Sequence, residues 1–307
     1  MKKQIICALV VILIASINEE STAQKIKLLK KTHLADYPSA SSLEFYKDKL
    51  YVIGDDASSI WILDNEHRLL DSIILFSSKD KRIDRATKAD LESSAIIKRN
   101  NKDNLVIFSS FSTSNRNKIL FIDLSQTDTF KQIETSLDNP AVQELNIEGA
   151  AAINDKLVLS NRANTTHTNN SLIITSLDSD GIDRNYKTIN LILPQTKKII
   201  GISGIAYLKE KDMLIFTAST EDTPNAYTDG TIGTSYIGYI KKISKKLNDS
   251  SVKADKLISI SKYLSEKSAQ KIESMIVEKI ERNKAIVHLA ADNDNGESTL
   301  FKLRLSL

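Results

Sequence analysis

The order of polar and apolar positions repeats along this chain. Each repeat opens with a serine or a glutamate, continues with small residues and then becomes apolar; the five copies begin at Ser41, Glu92, Glu148, Ser203 and Glu273. A turn and a dense β-branched run follow each opening, and then comes a third segment in which apolar and polar residues alternate. Alternation with a period of two is typical of half-buried strands. The pattern therefore predicts an all-β chain built from five similar units.

The spacing of the repeats favours one all-β architecture. The openings lie 51 to 70 residues apart, near the period of about 40 to 50 residues that propeller blades have. Helical repeats would need apolar positions three and four residues apart over about ten residues or more, and the repeats lack that pattern. We therefore predict a β-propeller with five blades; a six-bladed ring and another all-β fold are the alternatives.

The two ends of the chain are predicted to complete one blade together. Four repeats have a fourth strand, whereas the fifth stops after its third strand, at Leu307. Residues 25–34 have the pattern of a strand but belong to no repeat. Pairing this N-terminal strand with the last repeat would close the ring and remove the exposed strand edges of an open array.

The N-terminus predicts export. Lys2 and Lys3 precede an apolar run over residues 5–17, and small residues follow at positions 21–23. This order is typical of a secretory signal peptide, and the run is shorter than the roughly 20 residues that a membrane-spanning helix needs. We expect residues 1–23 to be removed as a signal peptide and residues 24–307 to form a single propeller domain. The product would be periplasmic or extracellular, with no transmembrane segment.

Composition narrows the range of functions. The only cysteine lies in the predicted signal peptide, so the rest of the chain has no disulfide and no thiolate for catalysis or zinc binding. The net charge of +3 is small and mixed along the chain, which argues against nucleic acid as a partner. The sequence also has no phosphate-binding loop and no dinucleotide-binding motif. We expect a monomer whose partner would be a small-molecule or anionic ligand.

Propeller geometry would gather a set of polar residues on one face. Neighbouring strands of a blade are antiparallel, so the start of each innermost strand lies on the same face as the loop between the second and third strands. At these starts, Glu92, Glu148 and Glu273 would surround the central channel as candidate metal ligands. The loops, and the segment before Glu92, add candidate ligand-binding residues to this rim: Asp55, Asp56, Lys88, Asp90, Asn161, Arg162, Glu221, Asp222 and Asp292.

This carboxylate-rich rim has three interpretations. The glutamates could accept hydrogen bonds in a water-filled channel and have no further role. They could bind a hard cation, because calcium takes about six to eight oxygen ligands and the rim offers mostly oxygens. They could also act as an acid and base pair, as in glycosidases, where two carboxyl groups stand at a controlled separation. The sequence leaves all three interpretations open.

Several segments resemble a known group of proteins. An uncharacterised family of secreted bacterial β-propellers is similar to nearly the whole chain after residue 23, and these segments carry the resemblance: residues 38–45, 51–56, 88–92, 146–149 and 160–162. The segment that begins at Glu148 is also similar to the esterase-like phytase and SdiA-regulated propellers. That similarity implies calcium bound by acids near the channel. Ser41 and Ser203 depart from it, because they stand where acids would complete the ring.

Two functions follow as hypotheses. The first is an exported propeller that binds a ligand or a metal ion, with calcium as the candidate cofactor, at the mouth of its channel and without turnover. The second, implied by the resemblance, is calcium-dependent hydrolysis of phosphoesters or esters. The ring glutamates would then hold the metal, and Lys88 and Arg162 would neutralise an anionic substrate. The sequence shows no nucleophile or histidine-based catalytic set, which favours the first hypothesis.

Overall fold

The structure, a computed structural model, describes residues 26–78, 80–137, 141–142, 144–178, 181–194, 196–222, 225, 230–264, 269–292 and 296–307. The predicted signal peptide lies outside these residues. Strands dominate the described part of the chain, and three short 3-10 helices join them at Lys209–Lys211, Ile243–Lys245 and Ser261–Tyr263. No helix among the described residues is long and apolar enough to cross a membrane.

Five sheets correspond to the five repeats, and the strands within each repeat pair antiparallel. From the innermost strand outward, blade 1 contains β2 (Ala40–Tyr46), β3 (Lys49–Gly54), β4 (Ser59–Asp64) and β5 (Leu69–Ile74). Blade 2 contains β6 (Leu91–Arg99), β7 (Lys102–Ser109), β8 (Lys118–Asp123) and β9 (Phe130–Glu134). Blade 3 contains β10 (Ile147–Ile153), β11 (Lys156–Asn161), β12 (Asn170–Thr175) and β13 (Lys187–Ile192).

The last two blades follow the same plan. Blade 4 contains β14 (Ile200–Leu208), β15 (Met213–Glu221), β16 (Ile232–Lys241) and β18 (Lys256–Ser259). Blade 5 contains β19 (Ile272–Glu281), β20 (Lys284–Asp292), β21 (Ser298–Ser306) and, as its outermost strand, β1 (Ile26–Leu34). The innermost strands β2, β6, β10, β14 and β19 neighbour one another in a closed cycle. The five-bladed propeller is therefore confirmed, and the six-bladed alternative is wrong.

The N-terminal strand closes the ring as predicted. β1 pairs antiparallel with β21, from Ile26 opposite Leu305 to Leu34 opposite Ser298. The last blade is thus built from both ends of the sequence, and its third strand gains the partner that the fifth repeat lacks. This arrangement leaves no unpaired strand at the junction of blades 5 and 1.

One strand has no counterpart in the repeat pattern. β17 (Ser251–Lys253) belongs by sequence to the connection between β16 and β18 of blade 4, but it pairs in parallel with β13 of blade 3. Val252 at its centre is buried in the apolar layer between blades 3 and 4. A strand this short carries no alternating pattern, so the sequence did not predict it.

The core consists of five apolar layers, one between each pair of adjacent blades. Inner blade strands contact a neighbouring blade on both faces, so strands such as β12 are buried at every position. This explains why the second and third strands of each repeat are dense apolar runs. Phe108, Phe216 and Phe301 are fully buried on blades 2, 4 and 5. These apolar layers pack adjacent blades together. The polar ends of the innermost strands therefore line the channel.

Candidate functional site

All five innermost strands contain a β-bulge at the position where the repeat opens. Pairing with the second strand of each blade skips one residue, and the skipped residues are Ser41, Glu92, Glu148, Ser203 and Glu273. A bulge leaves the extra residue outside the ladder and redirects its side chain. We call these five residues the ring positions. The opening residue of each sequence repeat is therefore the bulged residue of the innermost strand, at the mouth of the channel.

Two of the ring positions join neighbouring blades. The Ser41 hydroxyl donates to the carbonyl oxygen of Leu91 at 2.5 Å, and the Ser203 hydroxyl donates to the carbonyl oxygen of Ile272 at 2.6 Å. Leu91 and Ile272 directly precede ring glutamates of the next blade. An ionised carboxylate has no proton to donate, so the three ring glutamates cannot make this bond in that state. The serines therefore fix the seams, while the glutamates project into the channel mouth.

A cavity of about 530 Å³ occupies this end of the channel. Among the described residues, ten carboxyl groups and six cationic side chains line it. The acids are Asp55, Asp56, Asp80, Asp84, Asp90, Glu92, Glu148, Glu221, Glu273 and Asp292, and the cations are Arg82, Arg85, Lys88, Arg116, Arg162 and Lys271. All five blades or their connections contribute, so the ring fold alone brings these distant residues together. The lining has a clear excess of acids.

Lys88 lies among the acids contributed by blades 1 and 2. Its ammonium group contacts Asp55 and lies 2.7 Å from Asp90 Oδ1, and its side chain is only 12% exposed. Asp90 also accepts a hydrogen bond of 2.9 Å from Arg116. One ligand oxygen each of Asp55, Asp90 and Glu92 lies within 4.8 Å of the others, a spacing that a metal ion could bridge. Because Lys88 already neutralises two of these acids, a metal at this point would have to displace it.

A second ion-pair network lies on blades 3 to 5. Arg162 is buried and donates to Glu221 Oε2 at 2.8 Å, but it lies 3.9 Å from Glu148. Lys271 lies 2.9 Å from Glu273 Oε1. Although burial opposes ionisation of Glu221, Arg162 and Lys271 lower the pKa of its carboxyl group. Glu221 is therefore ionised, and Arg162 pairs mainly with Glu221.

Glu92 and Glu148 are the two ring acids to which no cation donates a hydrogen bond among the described residues. Within the described residues, no ion pair or hydrogen bond involves the carboxyl group of Glu92. Burial, with repulsion from Asp90 and Asp55, raises the pKa of Glu92 well above its usual value. Burial also raises the pKa of Glu148 to about 8, against attraction from Arg162 and with repulsion from Glu273. The pKa of Glu148 thus favours its protonated form at neutral pH, and burial shifts the pKa of Glu92 in the same direction.

Three carboxylate oxygens of the cavity-lining residues lack a donor. Asp55 Oδ1, Asp56 Oδ1 and Glu273 Oε2 are buried and have no hydrogen-bond partner among the described residues. The second oxygen of Asp56 accepts a bond of 2.5 Å from Arg82, and its side chain is 4% exposed. A buried acceptor without a donor costs free energy, so these atoms favour a ligand that brings donors or positive charge.

The structure separates the predicted site residues into two groups. Ten of them line the cavity: Asp55, Asp56, Lys88, Asp90, Glu92, Glu148, Arg162, Glu221, Glu273 and Asp292. Asn161 and Asp222 do not. The buried Asn161 side chain accepts a bond from the backbone of Asn146 and donates to the backbone of Glu144. Asp222 is exposed and pairs with Lys198 at 2.8 Å. These two residues therefore serve local structure.

Sequence reasoning missed several residues of the cavity. Lys271 and Asn146 each stand two positions before a ring glutamate, exactly as Asp90 does, so the repeat register could have revealed them. Arg82 lies in the connection between blades 1 and 2, and Arg116 lies between β7 and β8. Neither arginine occupies a repeated position, and only the folded chain brings them to the cavity. Their absence made the predicted rim more acidic than the real one.

Comparisons with known proteins place the chain by fold and family. Glutaminyl cyclase from Myxococcus xanthus is 11% identical with a TM-score of 0.53, over 92% of this chain and 97% of that chain. An α-L-arabinanase variant from Cellvibrio cellulosa is 13% identical with a TM-score of 0.49, over 89% of this chain and 92% of that chain. At 11% identity the likeness to the glutaminyl cyclase concerns fold alone. No curated protein matches the chain.

The resemblance to esterase-like phytase and SdiA-regulated propellers stays a prediction, because the family comparison identifies a family of unknown function. Residues 36–305 match a family of unknown function, which covers the described chain from the end of β1 to the end of β21. The chain therefore belongs to the family of unknown function DUF6929.

Proposed function

We propose that the protein is an exported binding protein whose central cavity takes a small positively charged ligand, with Ca²⁺ as the simplest candidate. The observation that carries this proposal is Glu92, a ring carboxyl group at the cavity that has no partner among the described residues. A partly buried acid in that position is stable only when it is protonated or faces a cation. A cationic ligand would take the place of the proton.

The charge balance of the cavity supports a cation over an anion. Ten acids face six cations, and the buried cations are already engaged. Lys88 contacts Asp55 and Asp90, and Arg162 is paired with Glu221. An anionic ligand would have to break these pairs and would meet the excess of carboxyl groups. A cation would meet surplus acids and break nothing.

Neighbouring ring positions supply the contacts. Glu92 and Glu148 lie on adjacent blades, and each would repel the other if both were ionised, so a cation between them would let both lose their protons. Glu273 adds an oxygen that has no donor. Carboxylate oxygens are the ligands that calcium prefers. Among the described residues only Asp55, Asp90 and Glu92 have ligand oxygens within 4.8 Å of one another, and Lys88 already occupies that point, so we expect the cation to lie on the Glu148 side of Glu92 and not to be held by all three ring glutamates at once.

The hydrolase hypothesis stays a prediction. It assigned Lys88 and Arg162 to an anionic substrate, and both are buried in ion pairs with carboxylates. Releasing either one would break a buried ion pair, which costs about 3–5 kcal/mol. We therefore limit the proposal to binding.

Thermal unfolding with added cations tests the proposal. Ca²⁺, Mg²⁺ and 1,4-diaminobutane would each be titrated into the protein at pH 7.5 after treatment with a chelator. A ligand at a hundred times its dissociation constant adds about 2.7 kcal/mol of stability, so a bound cation should raise the melting temperature and a chelator should reverse the effect of the metals. Calorimetry would give the affinity and the stoichiometry.

Matched variants locate the binding. Glu92→Gln and Glu148→Gln should each weaken the response, because they keep the shape of the side chain and remove its charge. Asp222→Asn removes an exposed acid outside the cavity and should respond as the wild type does. If no cation stabilises the wild type, or if Asp222→Asn loses the response as fully as Glu92→Gln, the proposal fails.

A further inference from the structure

A second polar cluster lies away from the cavity, at the seam between blades 5 and 1. The turn between β4 and β5 inserts His67 toward blade 5, where His67 Nε2 lies 2.8 Å from His288 Nδ1. Both imidazoles are buried, His288 fully. His67 has a positive φ of 58°, a backbone state that histidine tolerates better than most residues. The turn is thus shaped to bring its imidazole into the seam.

The hydrogen-bond chain fixes where each proton lies. Glu278 is an acceptor, and its Oε2 lies 2.9 Å from His288 Nε2, so that nitrogen carries the proton. His288 Nδ1 must then accept, and His67 Nε2 must donate to it. His67 Nδ1 lies 2.9 Å from the hydroxyl oxygen of Thr32 on β1 and accepts from it while His67 is neutral. That hydroxyl can also accept, so one added proton leaves every link intact, whereas a second added proton would put two N–H donors opposite each other between the imidazoles.

The charges around the pair oppose a further proton. Lys302 on β21 lies 2.9 Å from Glu278 Oε2 on β19 and 3.1 Å from Glu66 Oε1 in the blade 1 turn, and Lys30 on β1 lies 3.4 Å from Glu66 Oε2. Burial, with repulsion from His288 and the two lysines, lowers the pKa of His67 to about 3. Burial lowers the pKa of His288 too, although Glu278 opposes that effect.

Protonation would bring charge into this buried seam and, once both imidazoles are protonated, would break a defined bond. The N–H of His67 would then face the N–H of His288, so two donors would meet and the 2.8 Å contact would be lost. A proton added to His67 would place a buried charge near Lys30 and Lys302. We propose that this network is an acid-sensitive latch that holds blade 1 against blade 5 and closes the ring only while both histidines are neutral.

The latch lies at the seam between blades 5 and 1, and the two ends of the chain together complete blade 5. Thr32 and Lys30 belong to the N-terminal strand, and the other members come from the three remaining strands of blade 5 and from the blade 1 turn. The cavity walls from blades 1 and 5, which carry Asp56 and Glu273, meet across the same seam. Loosening it in acid would therefore disassemble part of the binding cavity, independently of which ligand the cavity takes.

The pH dependence of unfolding tests the latch. The unfolding constant would be measured by denaturant titration between pH 5.0 and 7.5 for the wild type and for His67→Gln, whose amide can still donate to His288. A histidine that is neutral when folded and protonated when unfolded contributes about one proton, or about a tenfold change of that constant per pH unit below 6.5. We expect the change in the unfolding constant per pH unit to be about tenfold smaller for His67→Gln than for the wild type. His33→Gln, an exposed histidine on the same strand as Thr32, is the control and should keep the wild-type slope.

Two measurements on the wild type keep the test independent of how the variant folds. Nitrogen NMR of the imidazoles should show His67 and His288 neutral and protonated on Nε2 at pH 5.5. Hydrogen exchange, corrected for its intrinsic pH dependence, should show β1 and the turn at residues 64–68 losing protection before blades 2 to 4 as the pH falls. Titration of either histidine between pH 6 and 7 in the folded protein would overturn the latch. So would equal pH slopes for the wild type and His67→Gln, or a first loss of protection in blades 2 to 4.

Discussion

Replacing Glu148 with glutamine should stabilise the free protein, and the gain should grow with pH. The pKa of this carboxyl group is about 8 in the folded protein and 4.5 as its ordinary value. Between these values the unfolded chain loses its proton while the folded chain keeps it, so wild-type stability falls as the pH rises. Each pH unit in this window costs about 1.4 kcal/mol, or about 3 kcal/mol between pH 5.0 and 7.5.

The Glu148→Gln variant measures this loss of stability on its own. Glutamine keeps the oxygen that accepts a bond of 2.7 Å from the Asn146 amide, so the local geometry is retained while the titration is removed. Urea unfolding in the presence of a chelator, at pH 5.0 and 7.5, gives the free energy of unfolding for both proteins. The difference between Glu148→Gln and wild type should be small at pH 5.0 and larger by about 3 kcal/mol at pH 7.5. A difference that does not change with pH, or one that reverses, would refute the assignment of a proton to Glu148.

Other predictions concern closure, the bulges and export. A chain that begins at Tyr37 lacks β1 and should aggregate or melt far below the full-length protein; an equal melting temperature would contradict ring closure by that strand. Gly149→Ala would place a Cβ atom 2.6 Å from Ser160 Oγ and 2.8 Å from the backbone nitrogen of Ile205, and overpacking of this kind should cost about 1–3 kcal/mol in denaturant unfolding. Ser203→Ala leaves the Ile272 carbonyl without its donor and should cost about 1–3 kcal/mol by the same assay, whereas no loss would show that the inter-blade bond is dispensable. The intact mass of the exported protein should lack residues 1–23, and a mass that includes Met1 would contradict the predicted signal peptide.

The fold was predictable because its information is local and repeated. The alternating strands of each blade bury one apolar layer against each neighbour, so the sequence of β7 or β11 is decided by packing and shows it directly. The incomplete last repeat and the extra strand at residues 25–34 likewise pointed to each other. β17 escaped prediction because a strand of three residues, Ser251–Lys253, is stabilised by its partner in another blade and leaves no periodic signal of its own.

The sequence predicted where the site lies, but it did not predict all of the residues that form it. The repeat register indicated that Glu92, Glu148 and Glu273 share the channel mouth, because a bulge at one position of every innermost strand puts the same residue there. Loop residues were harder. Asp222 follows its strand as Asp55 does, yet its side chain turns outward to Lys198. Arg116 reaches Asp90 from a loop with no repeated position. Side-chain direction in loops depends on contacts that the sequence does not display.

The two serines among the ring positions change how the acids should be understood. A calcium ring with five acids would need all five bulges free to project a carboxylate, whereas Ser41 and Ser203 use theirs to bond the next blade. The carbonyls they bind precede Glu92 and Glu273, so each serine fixes the backbone from which a ring glutamate projects. The ring positions therefore have two roles. The serine hydroxyl groups bond neighbouring blades, and the glutamate carboxyl groups face the cavity. Glu92 and Glu148, the ring acids that no cation hydrogen-bonds among the described residues, lie on adjacent blades within that frame. The repulsion that would arise if both were ionised is what a bound cation would remove.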